Sequence, residues 1–122
     1  MKTVLIVDDS PVTRSLIRAA IEDIEGLDVA EVHSGFEALK FLPRQSFDII
    51  LVDINMPDIN GLELLNFIKT NDHYKAIPVI IISTESSEED RKKGISLGAA
   101  GYLTKPFSPE NLQETVKKHL NL

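Results

Sequence analysis

Two kinds of apolar segment alternate along the chain, and this alternation constrains the fold more than any other feature. Short runs rich in β-branched residues are typical of buried strands. Each run is followed by a longer segment whose apolar residues recur at helical spacing. The pattern occurs five times and predicts strands over Thr3–Val7, Asp28–His33, Phe47–Val52, Pro78–Ile82 and Ala100–Thr104.

Capping residues predict where the intervening helices begin. Ser10 can cap the first helix, with Pro11 at its first position, and the same Ser-Pro pair precedes the last helix. Along the first helix the apolar residues recur at helical spacing, as Val12, Leu16, Ile17, Ala20, Ile21 and Ile24. The Asn60-Gly61 pair could form a hairpin turn, but Leu62–Lys69 continues at helical spacing and favours a third helix.

Five βα units in succession predict an α/β fold in which helices cover both faces of a parallel sheet. Right-handed crossovers leave few topologies, and the flavodoxin-like strand order 2-1-3-4-5 is the natural one for five units. The chain of 122 residues is large enough to bury one core. We therefore predict a single domain over residues 1–122.

Charge and composition exclude several classes of function. The net charge of −6 argues against non-specific binding to nucleic acid or to an anionic membrane. The absence of cysteine excludes disulfides, thiolate zinc sites and cysteine nucleophiles. The first apolar run is short and ends in two acids, which argues against a signal peptide. No stretch approaches the roughly 20 apolar residues of a membrane span. We predict a soluble, cytoplasmic protein.

Polar residues with chemical potential follow four of the predicted strands. Asp8 and Asp9 follow the first strand, and Asp53 follows the third. Ser83 follows the fourth strand, and Lys105 follows the fifth. In open parallel sheets, ligands bind at the carboxyl ends of the strands where the strand order reverses, here between strands one and three. The sequence therefore predicts that three carboxylates, a hydroxyl and an amine share one cleft.

This set of groups suits phosphoryl transfer. Three carboxylates in one cleft need a cation, and Mg²⁺ is the usual oxygen-bound ion where phosphate is involved. A carboxylate can attack phosphorus to give an aspartyl phosphate. Mg²⁺ and Lys105 would offset charge on the phosphoryl oxygens, and the Ser83 hydroxyl could donate a hydrogen bond to one of them.

Four motifs resemble the receiver domain of two-component response regulators, most of all the stand-alone, chemotaxis-type (CheY-like) receivers. They cover essentially the whole chain in order, as "IVDDS", "VDINMPDINGLE", "IPVIIIST" and "GAAGYLTKPF". The resemblance implies a response regulator of two-component signal transduction. Such a protein switches conformation on phosphorylation and controls a protein partner, and it catalyses only its own phosphorylation and dephosphorylation.

The resemblance also assigns roles to the cleft residues. It implies that Asp53 accepts the phosphoryl group from a sensor histidine kinase or a histidine phosphotransfer protein. It implies that Mg²⁺ is held by Asp8, Asp9, Asp53 and the backbone carbonyl of Asn55, with Asp9 in direct contact and Asp8 acting through water. Lys105 would contact the phosphoryl group.

Further residues are implicated in switching and output. By resemblance, the Ser83 hydroxyl moves toward the phosphate and Tyr102 turns inward with it, whereas a static packing role for Tyr102 is the alternative. The Lys105–Pro106 peptide is implied to be cis. The downstream target would bind the Ser87–Leu97 helix, the fifth strand and the last helix, and the protein would be a monomer or a phosphorylation-dependent dimer.

The chain departs from many relatives beside the hydroxyl. Ser83 stands where many have threonine, and Thr84 stands where many have alanine or glycine. Asn55 and Glu85 lie two residues after the acceptor and the hydroxyl, and this pair resembles that of members that lose their phosphoryl group quickly.

Three other functions remain open from the residues. A Mg²⁺-dependent phosphatase with an aspartate nucleophile usually needs a second acid two residues later, where this chain has Asn55. A flavin or nucleotide binder usually needs a glycine-rich turn, whereas the first turn here is "DDSPVT". A phosphate-independent adaptor would signal normally after Asp53→Asn substitution.

Overall fold

The computed structural model describes residues 1–84 and 88–122, and it contains a parallel sheet of five strands in the order β2-β1-β3-β4-β5. The strands are β1 (Lys2–Val7), β2 (Leu27–Val32), β3 (Ile49–Val52), β4 (Val79–Ser83) and β5 (Gly101–Thr104). The helices are α1 (Pro11–Glu22), α2 (Gly35–Phe41), α3 (Gly61–Thr70), α4 (Glu88–Ser96) and α5 (Pro109–Leu120). The predicted α/β class and strand order are confirmed. None of the helices in the described segments has the length and apolar character needed to cross a bilayer.

Helices cover both faces of the sheet because side chains alternate along each strand. Val4 and Ile6 of β1 pack with the buried residues of α1 and α5. Leu5 and Val7 of the same strand point to the opposite face, where α2 and α3 close the second core. All four residues of β3 are buried, so the central strands form a rigid platform for the loops at their carboxyl ends.

The third strand begins at Ile49, two residues later than the sequence predicted. Its pairing with β1 starts at Ile49, opposite Val4. Asp48 instead bonds to Thr3: its carboxylate accepts from the Thr3 N–H at 2.7 Å, and its own N–H donates to the Thr3 carbonyl. Phe47 is buried in the α2–α3 core without joining the ladder. A continuous apolar run thus extends beyond the strand it contains.

Helix α1 begins as predicted, with Ser10 as its cap and Pro11 at its first position, but its apolar stripe is not buried throughout. Ile17 and Ile21 are buried, whereas Val12 is 70% and Leu16 is 59% exposed. With about 100° of rotation per residue, Val12 lies about 140° around the helix from Ile17. The apolar face of α1 is therefore wider than the face that the sheet can cover.

The predicted starts of α3 and α5 are confirmed. Asn60 caps α3 and forms a capping box with Glu63, so the choice of a helix over a hairpin is confirmed. Ser108 caps α5 as predicted. The fourth helix is described from Glu88, and Ser86 and Ser87 before it lie outside the described residues.

Gly61 allows the start of α3 to pack directly on the end of β3. A Cβ atom at this position would lie 2.2 Å from the carbonyl oxygen of Asp53 and 2.8 Å from the Cα of Ile54. The Gly61 N–H donates to the Ile54 carbonyl at 2.8 Å. Because the obstructing atoms belong to the backbone, they cannot yield without moving Asp53.

Substituting Gly61→Ala should lower the free energy of unfolding by about 2 kcal/mol or more, as expected for overpacking against backbone. Gly94→Ala is the matched control, since the nearest atom to its added Cβ is the flexible Cδ1 of Ile81, at 2.7 Å. It should cost less than about 1 kcal/mol, because alanine also favours the helix. Urea unfolding measures both, and equal losses would contradict this account.

Asp58, in the loop after β3, ties that loop to the start of α2. Its carboxylate accepts hydrogen bonds from the N–H groups of Phe36, at 3.0 Å, and Gly35, at 3.3 Å. The Phe36 N–H, with smaller contributions from Ile59 and Gly35, holds the pKa of Asp58 below its ordinary value of 3.8. A lowered pKa in the folded state means that the ionised carboxylate stabilises the fold.

Asp58→Asn should therefore be less stable than the parent protein at about pH 7, and the difference should shrink as the pH falls below about 4. The sign follows because the stabilisation is complete above the unfolded pKa and is lost once the folded carboxyl protonates. Thermal unfolding followed across this pH range measures the effect. Asp72→Asn is the control. The exposed Asp72 carboxylate forms a surface ion pair with Lys75, so its loss should change stability little at either end of this pH range.

Candidate functional site

Three carboxylates meet at the carboxyl ends of β1 and β3. Asp8, Asp9 and Asp53 each offer an oxygen, and the three oxygens lie within 4.8 Å of one another. Asp8 and Asp53 are buried, whereas Asp9 is exposed. The strands β1 and β3 are hydrogen-bonded neighbours, so the residues that follow them are brought together although they are far apart in sequence. The structure thus places the acids as the sequence predicted.

Lys105 reaches this acid cluster from the end of β5. Its Nζ lies 2.9 Å from Oδ2 of Asp8 and 3.6 Å from Oδ1 of Asp53, and its side chain is 15% exposed. The backbone N–H of Lys105 donates to the Ser83 carbonyl at 2.8 Å, which fixes the lysine to the end of β4. The peptide between Lys105 and Pro106 is cis, as the resemblance implied.

The two adjacent acids are held differently. One oxygen of Asp8 accepts from the Ser10 N–H at 2.9 Å, and the other accepts from Lys105. Both oxygens of Asp8 are therefore engaged by protein groups. Asp9 faces solvent, so its oxygens are more open to an incoming ligand than those of Asp8.

Burial and neighbouring charge act on the acceptor candidate. Desolvation raises the pKa of Asp53 above its ordinary value of 3.8, and the carboxylates of Asp8 and Asp9 raise it further. Lys105 and the backbone N–H of Asn55 act in the opposite direction without cancelling the rise. Burial of the Asp53 carboxyl is therefore the main cause of its raised pKa, and the neighbouring acids add to the rise.

These donors fit a hard divalent cation. Carboxylate oxygens are the ligands that Mg²⁺ and similar ions prefer, and a cation would stabilise the ionised Asp53 carboxylate against both its burial and its acidic neighbours. The described part of the chain therefore contains an acid cluster that could hold a metal ion. Asn55 is exposed in the loop after Asp53, where its backbone is adjacent to the cluster.

Ser83 and Tyr102 lie on the two strands next to the acids. Ser83 is fully buried and is the last residue of β4, paired in register with Thr104. Tyr102 is partly buried on β5, where its ring lies beside Gly94 of α4. Ser83 therefore lies at the same sheet edge as the acids, whereas Tyr102 faces α4. Glu85 lies outside the described residues.

Sequence reasoning missed Arg14, which contacts the acid turn. Its Nη1 donates to the backbone carbonyl of Asp8 at 2.7 Å, and its Nε donates to Glu31 of β2. The only sequence sign was an arginine on the first helix, less than two turns after the acid pair, and surface arginines are common on helices.

Comparisons with known proteins agree with this geometry. The family model of the response regulator receiver domain matches residues 4–117. Protein PilG of Pseudomonas aeruginosa is 37% identical over 117 residues, which are 96% of this chain and 86% of that protein. The solved structure of Vibrio cholerae chemotaxis protein CheY4 at low pH has a TM-score of 0.90 and 37% identity, and the match covers 98% of this chain and 99% of that one.

Two further relatives are much longer than this chain. A probable cyclic di-GMP phosphodiesterase of Vibrio cholerae is 39% identical over 97% of this chain, which spans 26% of that protein. The transcriptional regulatory protein TrcR of Mycobacterium tuberculosis is 38% identical over 89% of the chain, which spans 41% of it. The same kind of domain thus occurs in proteins with other parts.

A solved relative carries a metal. The Mn²⁺-bound form of response regulator Rcp1 has a TM-score of 0.83 and 28% identity, and the match covers 97% of this chain and 91% of that one. Fold, acid cluster and family model agree over nearly the full length. The chain therefore belongs to the response regulator receiver domain family of two-component systems.

Proposed function

We propose that this chain is a phosphorylation-dependent switch. It accepts a phosphoryl group on Asp53 from a sensor histidine kinase or a histidine phosphotransfer protein, in a Mg²⁺-dependent reaction, and then controls a protein partner. The observation that carries this proposal is the meeting of three carboxylate oxygens within 4.8 Å, with Lys105 bridging Asp8 and Asp53. Residues 1–122 act as one receiver domain in the cytoplasm, as a monomer or a phosphorylation-dependent dimer, without turnover of a separate substrate.

The chemistry follows from the groups around Asp53. An oxygen of the ionised Asp53 carboxylate attacks phosphorus, the P–O bond forms as the P–N bond to the donor imidazole breaks, and the leaving nitrogen takes up a proton. Lys105, already within 3.6 Å of Asp53, faces the transferred oxygens. The buried Ser83 hydroxyl donates a hydrogen bond to one of them. Asp8, Asp9, Asp53 and the Asn55 carbonyl would hold Mg²⁺, which would supply positive charge against the phosphoryl oxygens.

The signal passes from the cleft to the fifth strand. Ser83 and Lys105 are joined by a backbone hydrogen bond, so a shift of either end moves β4 and β5 together. Tyr102 lies on β5 and contacts α4 beside Gly94. Gly94 is the buried residue of the described α4, so this helix is weakly anchored and a small free energy moves it.

The output surface comprises α4, β5 and α5. The sequence predicted the first of these as the Ser87–Leu97 helix; the structure describes it from Glu88, and Ser87 lies outside the described residues. Ile95 on α4 is 48% exposed, and each of the residues from Gly101 to Leu103 of β5 is only partly buried. A downstream protein that binds this surface would detect any shift of Tyr102 and α4.

The phosphodonor protein docks on a different surface, formed by α1 and the loop after β5. Val12 and Leu16 expose apolar side chains there. Beside them is a cavity of about 410 Å³, lined by Thr13, Leu16, Thr84, Lys105, Pro106 and Phe107. Lys105 belongs both to this cavity and to the acid cluster, so a protein seated on the apolar surface is close to Asp53. The partner that fits is a donor protein whose phosphohistidine lies beside an apolar surface, because that surface can cover Val12 and Leu16 while the phosphohistidine reaches Asp53.

Incubation with acetyl phosphate and Mg²⁺ should add one phosphoryl group, measured by intact mass. Asp53→Asn should abolish the addition because the nucleophile is lost, and chelation of the metal should reduce it strongly. Asp58→Asn is the matched control, since Asp58 lies in the same loop but bonds to α2 instead of the acid cluster, and it should be phosphorylated normally. Phosphorylation that survives in Asp53→Asn would contradict the assignment of the acceptor.

Leu16→Asp should separate protein donors from small donors. It should slow phosphotransfer from a phosphorylated histidine kinase by at least about tenfold, the cost of burying one unpaired charge in an interface. It should leave phosphorylation by acetyl phosphate unchanged, since the acid cluster is intact. Ile95→Asp, a substitution of equal chemistry on α4, should leave both reactions unchanged. Equal slowing of both donors by Leu16→Asp would contradict the docking surface.

A further inference from the structure

A network of charged side chains joins the edge strand β2 to the acid turn. Glu31 of β2 accepts hydrogen bonds from Nε of Arg14, at 3.2 Å, and from Nε of Arg18. Both arginines lie on α1, and because they are four residues apart their side chains lie on the same face of the helix. The side chains of Arg14 and Glu31 are only 19% and 26% exposed, so solvent screens this pair less than a surface ion pair.

The two arginines share Glu31 but differ in their second contact. Nη1 of Arg14 donates to the backbone carbonyl of Asp8 at 2.7 Å. Arg18 instead approaches the Val29 carbonyl at 3.4 Å and Glu22 at 3.8 Å. Only Arg14 of this pair therefore connects Glu31 to the acid turn.

The contact with the Asp8 carbonyl constrains the next residue. That carbonyl belongs to the planar peptide group that joins Asp8 to Asp9, so a hydrogen bond to its oxygen sets the orientation of the whole group. The Asp8 side chain is already fixed by Ser10 and Lys105. The exposed Asp9 follows this peptide group directly, and Arg14 donates to the oxygen of the same group.

We propose that Arg14, anchored by Glu31, is a positioning residue that presets the Asp8–Asp9 peptide for a divalent cation. The inference rests on the proposed function in requiring that the acid cluster binds such a cation. It adds that the Glu31 carboxylate, which contacts α1 instead of the acid cluster, controls the affinity of that cluster for the cation. Partners that orient metal ligands from outside typically change affinity by 10- to 100-fold when they are lost.

The positive charge of Arg14 and its hydrogen bond to the acid turn have opposite effects on the affinity for a cation, so a variant can separate them. Removing the positive charge of Arg14 would strengthen cation binding by reducing repulsion, whereas losing its hydrogen bond would weaken it. Lysine keeps the charge, but it cannot reproduce the planar fork that contacts Glu31 and the Asp8 carbonyl together. Arg14→Lys therefore isolates the geometric effect, and Arg18→Lys makes the same change on the arginine that does not touch the turn.

Binding of Mn²⁺ alone, measured by titration calorimetry at about 0.15 M salt without phosphodonor, should be weakened about tenfold by Arg14→Lys. Arg18→Lys should change it less than twofold. The backbone amide resonance of Asp9 should shift in metal-free Arg14→Lys and stay in place in Arg18→Lys. A purely structural role would instead lower the metal-free unfolding temperature in both variants without this selective change in affinity.

Unchanged affinity in Arg14→Lys, or equal weakening in both variants, would overturn the positioning role. If the parent protein bound no Mn²⁺, the metal site of the proposed function would fall together with this inference. Should Arg14→Lys fail to fold, Glu31→Gln tests the same anchor, with Glu22→Gln as the control that removes equal charge beside Arg18 only. Weaker binding in Glu31→Gln alone supports the network, and equal binding in the two overturns it.

Discussion

The crowding of three carboxylates at the ends of β1 and β3 is the constraint on which the rest of the site depends. Groups of like charge within 4.8 Å repel one another, and burial adds a desolvation cost to the ionised forms of Asp8 and Asp53. The chain holds them there by fixing their backbones. The Asp53 N–H donates to the Val7 carbonyl at 2.9 Å, and the Asp8 N–H donates to the Val32 carbonyl at 3.2 Å. The ladder of the sheet thus extends one residue into the cluster on each strand.

Burial is unequal across the sheet, and this matches the division of labour that we propose. Residues Val4–Val7 of β1 and all of β3 are buried, so the acids lie at the ends of two strands that are held by the core. At the other side, β5 is only partly buried, and the described α4 buries only a glycine. Stability in proteins is distributed in this way when a binding site must keep its geometry while another element moves.

The sequence was sufficient for the fold because its local patterns agree with one another. Periodicity, Ser-Pro caps and β-branched runs all indicate five βα units, and chain connectivity then leaves the order found here. The convergence of Asp8, Asp9, Asp53 and Lys105 follows from that order alone, since each lies just beyond a strand. The fold and the acid cluster were therefore predictable from the sequence.

What the sequence could not supply depends on orientation around helices. Val12 and Leu16 share the apolar character of Ile17, but which part of a wide apolar stripe meets the sheet depends on how the helix is set against it. Glu31 likewise interrupts an apolar strand, and its partners are two arginines of α1 that the periodicity of β2 does not indicate. Pairing between distant elements is a tertiary property that periodicity does not encode.

The charges in the cleft indicate how the proposed phosphorylation would act as a switch. With all three acids ionised, the carboxylates and Lys105 leave two net negative charges, which one divalent cation neutralises. An aspartyl phosphate replaces the single charge of Asp53 with a group that carries up to about two charges and three acceptor oxygens. One divalent cation and Lys105 would then no longer balance the charge, so the phosphoryl oxygens would need a further hydrogen-bond donor. The Ser83 hydroxyl at the end of β4 is such a donor. Because the Ser83 carbonyl accepts from the Lys105 N–H, a shift of Ser83 toward the phosphate would also move the end of β5, a strand whose residues are partly buried or exposed.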